Sequence, residues 1–157
     1  MLFRSQRLLA TRSGTADVQI VISDGLNALA LMEADQLSQL LAALRKQLKL
    51  AGFLAFDEHL LVTSGRVRAG YRIGEQVFGS AVGRGILLHI IGERPGTGHH
   101  TMSIYMTAAT ASVWGQPGTV DHNITRVVSG IAQTALAPEV AAMDAVRILK
   151  TMTGTRE

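Results

Sequence analysis

The run Gly85-Ile86-Leu87-Leu88-His89-Ile90-Ile91-Gly92 constrains this chain more than any other feature. It is apolar at consecutive positions, with one histidine inside and glycine at both ends. Alternating hydrophobicity would mark a strand with one wet face; a continuous run marks a strand covered on both. Two covered faces require helices on each side of a sheet, which is the α/β arrangement. His89 is then expected to be a buried, neutral, hydrogen-bonded imidazole rather than a ligand.

The remaining pattern supplies those helices. Asp17-Val18-Gln19-Ile20-Val21-Ile22-Ser23 reads as a strand that leaves into a tight loop at Asp24-Gly25. From Glu33 to Ala51, Leu37, Leu40, Leu41, Leu44 and Leu48 follow helical spacing, with acids at the start, bases at the end and Gly52 as a stop. A short strand follows around His59–Val62. A second helix opens at Ser64-Gly65, with Val67, Tyr71, Gly74 and Phe78 on one face. Gly79 to Gly85 reads as a loop, Ser103–Thr107 as a strand, and 108–120 as a turn-rich connection. A short helix is expected over Asn123–Ile131. Pro138 opens a terminal helix that presents Val140, Met143, Val146 and Leu149. This alternation predicts one α/β domain over 13–157, with a mostly parallel sheet flanked by helices and ligands at the carboxyl ends of its strands. Residues 1–12 carry Arg4 and Arg7, no acid precedes Asp17, and the segment reads as a poorly ordered terminus rather than a transit peptide.

Composition excludes several functions. With 157 residues, 47% apolar and 17% charged, the chain has enough apolar matter for a single core. Cysteine is absent, which removes disulfide scaffolds, thiolate metal sites and a cysteine nucleophile. The net charge of +3 is scattered, and aromatics are scarce, so no nucleic-acid surface is expected. No apolar run reaches the ~18–20 residues that cross a bilayer, so no membrane partner is expected either.

The segment Gly92-Glu93-Arg94-Pro95-Gly96-Thr97-Gly98-His99-His100-Thr101 invites comparison with a phosphate loop. Its glycine spacing differs, however, and no lysine precedes the hydroxyl residue. His99, His100 and His122 beside Asp121 lack the i, i+4 spacing of helical metal ligands, so hydrogen-bonding roles are expected and no metal set is assigned. Ser23 and Ser103 lack the Gly-x-Ser-x-Gly elbow of a hydrolase. Arg66, Arg68 and Arg72 read as a solvated helix face. Glu93, at the exit of the buried strand, either pairs with Arg94 or loop amides or faces a ligand. The residues alone define a domain with a ligand-sized crevice, without naming a reaction.

Four longer stretches resemble one family. They are Val21-Ile22-Ser23-Asp24-Gly25-Leu26-Asn27-Ala28, Gly65-Arg66-Val67-Arg68-Ala69-Gly70-Tyr71-Arg72-Ile73-Gly74-Glu75, Ile91-Gly92-Glu93-Arg94-Pro95-Gly96, and the run from Val120-Asp121-His122 to Ser129-Gly130-Ile131. Together they resemble the small (light) subunit of ethanolamine ammonia-lyase over about residues 14 to 150. The resemblance implies a Rossmann-like fold. It also implies a role in an adenosylcobalamin-dependent lyase that converts ethanolamine to acetaldehyde and ammonia by a radical mechanism. The large subunit would bind ethanolamine and supply the catalytic groups. This chain would hold the cofactor from the other side and be inactive alone, with no catalytic residue of its own.

Cofactor contacts implied by the aligned motifs fall on Val67, Glu93 and Val127, the last standing where some members carry cysteine. The valines would form wall, and Glu93 would accept a hydrogen bond from a corrin amide or ribose. Asp57-Glu58-His59 begins like a cobalt-ligating motif, but Val62 stands where glycine is required. The cofactor is therefore expected to keep its own base on cobalt. Members of the family usually carry a further N-terminal region, so weaker assembly with the large subunit is a second expectation. The location implied is cytoplasmic, free or packaged in a bacterial microcompartment. The alternative reading is a non-catalytic α/β module for a nucleotide-like ligand, or a remnant that only scaffolds the large subunit.

Overall fold

A computed structural model describes residues 17–25, 27–63, 65–80, 83–93 and 100–154. The segment 1–12, expected to be poorly ordered, and most of the Gly92–Thr101 loop lie outside the described residues. Five strands form one sheet in the order β2-β1-β3-β4-β5: β1 Val18–Ser23, β2 Leu60–Val62, β3 Arg84–Gly92, β4 Met102–Thr110 and β5 Thr125–Ile131. The helices are α1 Ala28–Met32, α2 Gln36–Leu50, α3 Val67–Phe78, α4 Ala111–Trp114 and α5 Pro138–Met152. Single 3-10 turns stand at Glu33–Asp35 and His122–Ile124. None of the described helices is long and apolar enough to cross a membrane.

The expected α/β class holds, but the mostly parallel sheet does not. β1 pairs in parallel with β2 and β3, whereas β4 runs antiparallel to both β3 and β5. The physical reason is the connection. A parallel return needs a crossover of a dozen or more residues, usually helical. Only Glu93 to Thr101 separates β3 from β4, so β4 comes straight back along β3, from Gly92 opposite Met102 to Arg84 opposite Thr110.

β3 is the central strand, and its sequence explains why. Ile86, Leu88 and Ile90 enter one core with Ile20, Ile22, Ile104 and Met106, under α2 and α5. Leu87 enters a second core with Val21, Tyr71, Phe78 and Trp114, under α3. On α2, Leu40, Leu44 and Leu48 are buried as their spacing predicts, and Gly52 closes the helix at φ 82°.

Three local readings need correction. Asn123–Ile131 is not a helix: after the 3-10 turn it is β5. Ile104 pairs with Val128 and Met102 with Ile131, so three residues on β4 span four on β5. This bulge uses Gly130 at φ 72° and turns Val128 and Ile131, three apart, toward the same core. It thereby imitates a helical period. On α5 the buried stripe is Ala141, Ala142, Ala145, Val146 and Leu149, while Val140 and Met143 are 47% and 57% exposed. The alanines, not the larger residues, let α5 approach α2. Finally, the expected turn-rich stretch is partly regular, because β4 runs on to Thr110 and α4 follows.

Trp114 anchors that end of the sheet. It is fully buried, donates Nε1–H to the Gly85 carbonyl at 3.0 Å and lies against Phe78, with ring centroids 5.7 Å apart. Gly74 of α3 packs on this ring: a Cβ there would stand 2.2 Å from Trp114 Cζ3. Alanine gains about 1 kcal/mol over glycine in a helix interior, but overpacking a closed core costs about 1–3 kcal/mol. Because the indole is fixed by its hydrogen bond, the clash outweighs the gain. Gly74→Ala is expected to lower the thermal midpoint by several degrees; a rise in a melting scan would show that the ring can yield.

Candidate functional site

The α3-facing side of the sheet reads as rows across the strands. One row runs Val21, His89, Tyr105, Val127, and the next runs Gln19, Leu87, Thr107, with Thr125 closing it on β5. α3 packs over β1 and β3 at this face because its glycines permit close approach. A Cβ at Gly70 would meet His89 Nδ1 at 2.5 Å, and one at Gly65 would meet Val62 and Ser23. Val127, on β5, remains 47% exposed.

Ligands were expected at the carboxyl ends of the strands, and there the glycine-bearing exits of β1 and β3 meet. Gly25, at φ 55°, lies against Ile91 and the Gly92 carbonyl, and Gly92 lies against the Asn27 and Asp24 carbonyls. Their missing side chains therefore serve mutual packing of the β1 and β3 exits. Asn27 continues the chain there by capping α1, its Oδ1 accepting from Leu29 N–H at 3.2 Å.

Glu93 emerges beside this junction, half-buried, with its own N–H donated to the Thr101 carbonyl at 2.9 Å. Its Oε1 accepts the Tyr105 hydroxyl at 3.1 Å. Tyr105 also faces Val127 directly across the β4–β5 ladder. Of the three residues singled out by resemblance, Glu93 and Val127 thus flank one tyrosine. Val67 is half-buried on the first turn of α3, packed on the core beneath that helix and one turn before Tyr71.

Sequence reasoning assigned no site role to either tyrosine. The Tyr71 hydroxyl contacts His122 Nδ1 at 3.0 Å and Thr125 Oγ1 at 3.1 Å, and Thr107 Oγ1 joins Thr125 at 2.9 Å. Burial raises the Tyr71 pKa, opposed by the Thr125 hydrogen bond and reinforced by Asp121. The Tyr105 phenol is pushed up to about 12, first by burial and then by the Glu93 carboxylate that it bonds, with a smaller contribution from Tyr71. It stays a neutral donor at working pH.

The other candidates resolve as packing or local bonds. Ser23 Oγ and His89 Nε2 are 2.8 Å apart, as in a nucleophile–base pair. Both residues are only 1% exposed, and His89 Nδ1 faces Gly70 with no partner among the described residues. Among the described residues no acid orients the ring, so they form no triad. His100 bonds Glu33, His122 bonds Tyr71, and Arg66, Arg68 and Arg72 are exposed. Asp57 and His59 lie exposed ahead of β2.

Burial lowers the His89 pKa to about 4 from its ordinary 6.5. Between these values the unfolded chain binds a proton that the folded chain does not, so stability held above pH 6.5 is lost as pH falls toward 4. The shift corresponds to at most about 3 kcal/mol. The stability difference between wild type and His89→Gln should narrow by up to that amount from pH 7 to pH 4. Urea midpoints giving a constant difference would show that His89 is not held uncharged.

The comparisons agree with the resemblance. No match to a curated protein was found. The family model described as ethanolamine ammonia-lyase light chain (EutC) matches residues 3–157. A match over nearly the whole length shows that the chain belongs to the ethanolamine ammonia-lyase light chain family.

Proposed function

We propose that this light subunit of ethanolamine ammonia-lyase holds adenosylcobalamin against the large subunit, through the α3-facing side of its sheet. When bound, that cofactor supplies the radical that starts loss of ammonia from ethanolamine. Residues 13–157 act as one cofactor-contacting domain. Val67 and Val127 provide apolar wall, and Glu93 accepts a hydrogen bond from an amide or ribose hydroxyl at the ring's edge. The family implies the reaction, the base-on cofactor, a large partner that binds ethanolamine, and a cytoplasmic setting with packaging in a microcompartment as its variant.

The observation that carries the reading is the pairing of Glu93 and Val127 around Tyr105. A broad, flat, amphipathic ring binds best to an apolar surface with a few placed polar anchors. This face offers an exposed valine beside a carboxylate whose position is already set by a phenol. The buried Ser103 hydroxyl adds a polar group without a partner among the described residues. The residues present fit such a ring. A scaffolding remnant would have no use for a held carboxylate beside an uncovered valine.

The tagged chain is to be co-expressed with an ethanolamine ammonia-lyase large chain and assayed for acetaldehyde with and without adenosylcobalamin. Activity is expected only with both chains and the cofactor; deamination by the single chain would refute the division of labour. In the assembled enzyme, Glu93→Ala removes one acceptor from a charged group, a contribution of about 1.5–3 kcal/mol. Cobalamin affinity should therefore fall about ten- to a hundredfold, and an unchanged titration would take Glu93 out of the site.

A further inference from the structure

We infer that Tyr105 is a positioning residue for cofactor capture, fixing the Glu93 carboxylate in the orientation that a hydrogen-bond donor on the ligand meets. The inference rests on the cofactor reading above and adds a residue to it.

The geometry has three parts. Glu93 is the first residue beyond β3, and its backbone is fixed by the bond from its N–H to the Thr101 carbonyl. Backbone fixation leaves a glutamate side chain free to rotate about three bonds, so something else must aim it. Tyr105 sits mid-strand on β4, between His89 on β3 and Val127 on β5, and so cannot itself move with a loop. Among the described residues its hydroxyl reaches only Glu93 Oε1, at 3.1 Å. A carboxylate offers about four lone-pair sites. The phenol occupies one, which leaves the other oxygen available to a ligand amide or hydroxyl.

Direction of charge supports the arrangement. The phenol remains protonated because burial and the adjacent carboxylate both oppose its ionisation. It is therefore a permanent donor, and among the described residues the charge presented beside it is that of Glu93. Holding one rotamer-rich side chain in its bound orientation spares an ordering cost on binding that converts to about a two- to tenfold gain in affinity.

The test is a double-mutant cycle in the assembled two-subunit enzyme, read as the dissociation constant for cyanocobalamin, with thermal midpoints recorded alongside. Tyr105→Phe is expected to weaken binding about two- to tenfold in the wild-type background and to have no further effect in Glu93→Ala. Glu93→Asp, which withdraws the carboxylate by one methylene, should behave likewise and become insensitive to Tyr105→Phe. A merely structural tyrosine would give the same loss in every background, and that result overturns the inference. So does an unchanged affinity in Tyr105→Phe where Glu93→Ala still weakens binding, although the cofactor reading then survives. If Glu93→Ala leaves affinity unchanged, both fall together.

Discussion

Burial of β3 on both faces and pairing on both edges is the constraint from which the rest of this fold follows. Its backbone groups are satisfied by β1 on one side and β4 on the other, so almost every side chain it carries must be apolar or neutral. Past Arg84, which is half-buried at the strand's start and pairs with Asp17, the one polar residue in its buried run is His89. His89 is tolerated because Ser23 answers one ring nitrogen and burial keeps the imidazole uncharged. The ring also needs room, and the missing side chain of Gly70 supplies it on the helix above. A sequence requirement on α3 is thus set by a polar residue on the sheet beneath.

The same strand decides where the candidate site forms. β1, β2 and β3 run parallel with α2 over one face and α3 over the other, while the short return into β4 forces an antiparallel neighbour. That return brings the middle of β4 back alongside His89, within reach of the residue that has just left β3. Tyr105 meets Glu93 for this reason, across a separation of twelve positions in the chain. A parallel β4 would have carried its residues away on a crossover and left Glu93 without an internal partner.

Elements governed by local periodicity were legible in the sequence: β1, α2, β2, α3, β3 and the proline start of α5. What failed depended on partners. Val128 and Ile131 lie three apart yet face one core because of the bulge at Gly130, and nothing in the local pattern separates that from a helix turn. On α5 the largest apolar residues were expected to be inside, whereas close approach to α2 selects alanine and leaves Val140 and Met143 outside. At the site, the aligned motifs pointed to Glu93, Val67 and Val127, but the tyrosines gave no signal. Tyr71 has the spacing of a core residue, and Tyr105 sits among good strand formers; only the fold reveals what their hydroxyls touch. At the strand exits Gly25 and Gly92 pack against each other's loop, and the sequence does not separate that use of glycine from an open cradle.

The two faces of the sheet carry different burdens. Under α2 and α5 the core is aliphatic and closed, and it supplies most of the apolar burial that holds the domain together. On the other face α3 covers the β1–β3 side, leaving Val127 exposed on β5 next to a phenol–carboxylate pair. Isolated exposed valines are ordinary. This one lies directly across from a tyrosine that bonds a half-buried carboxylate, so an apolar wall and an aimed acceptor share one surface. Three of the described histidines are held in local bonds: His89 to Ser23, His122 to Tyr71 and His100 to Glu33. That combination of apolar wall and aimed acceptor is what the proposed cofactor-holding role rests on.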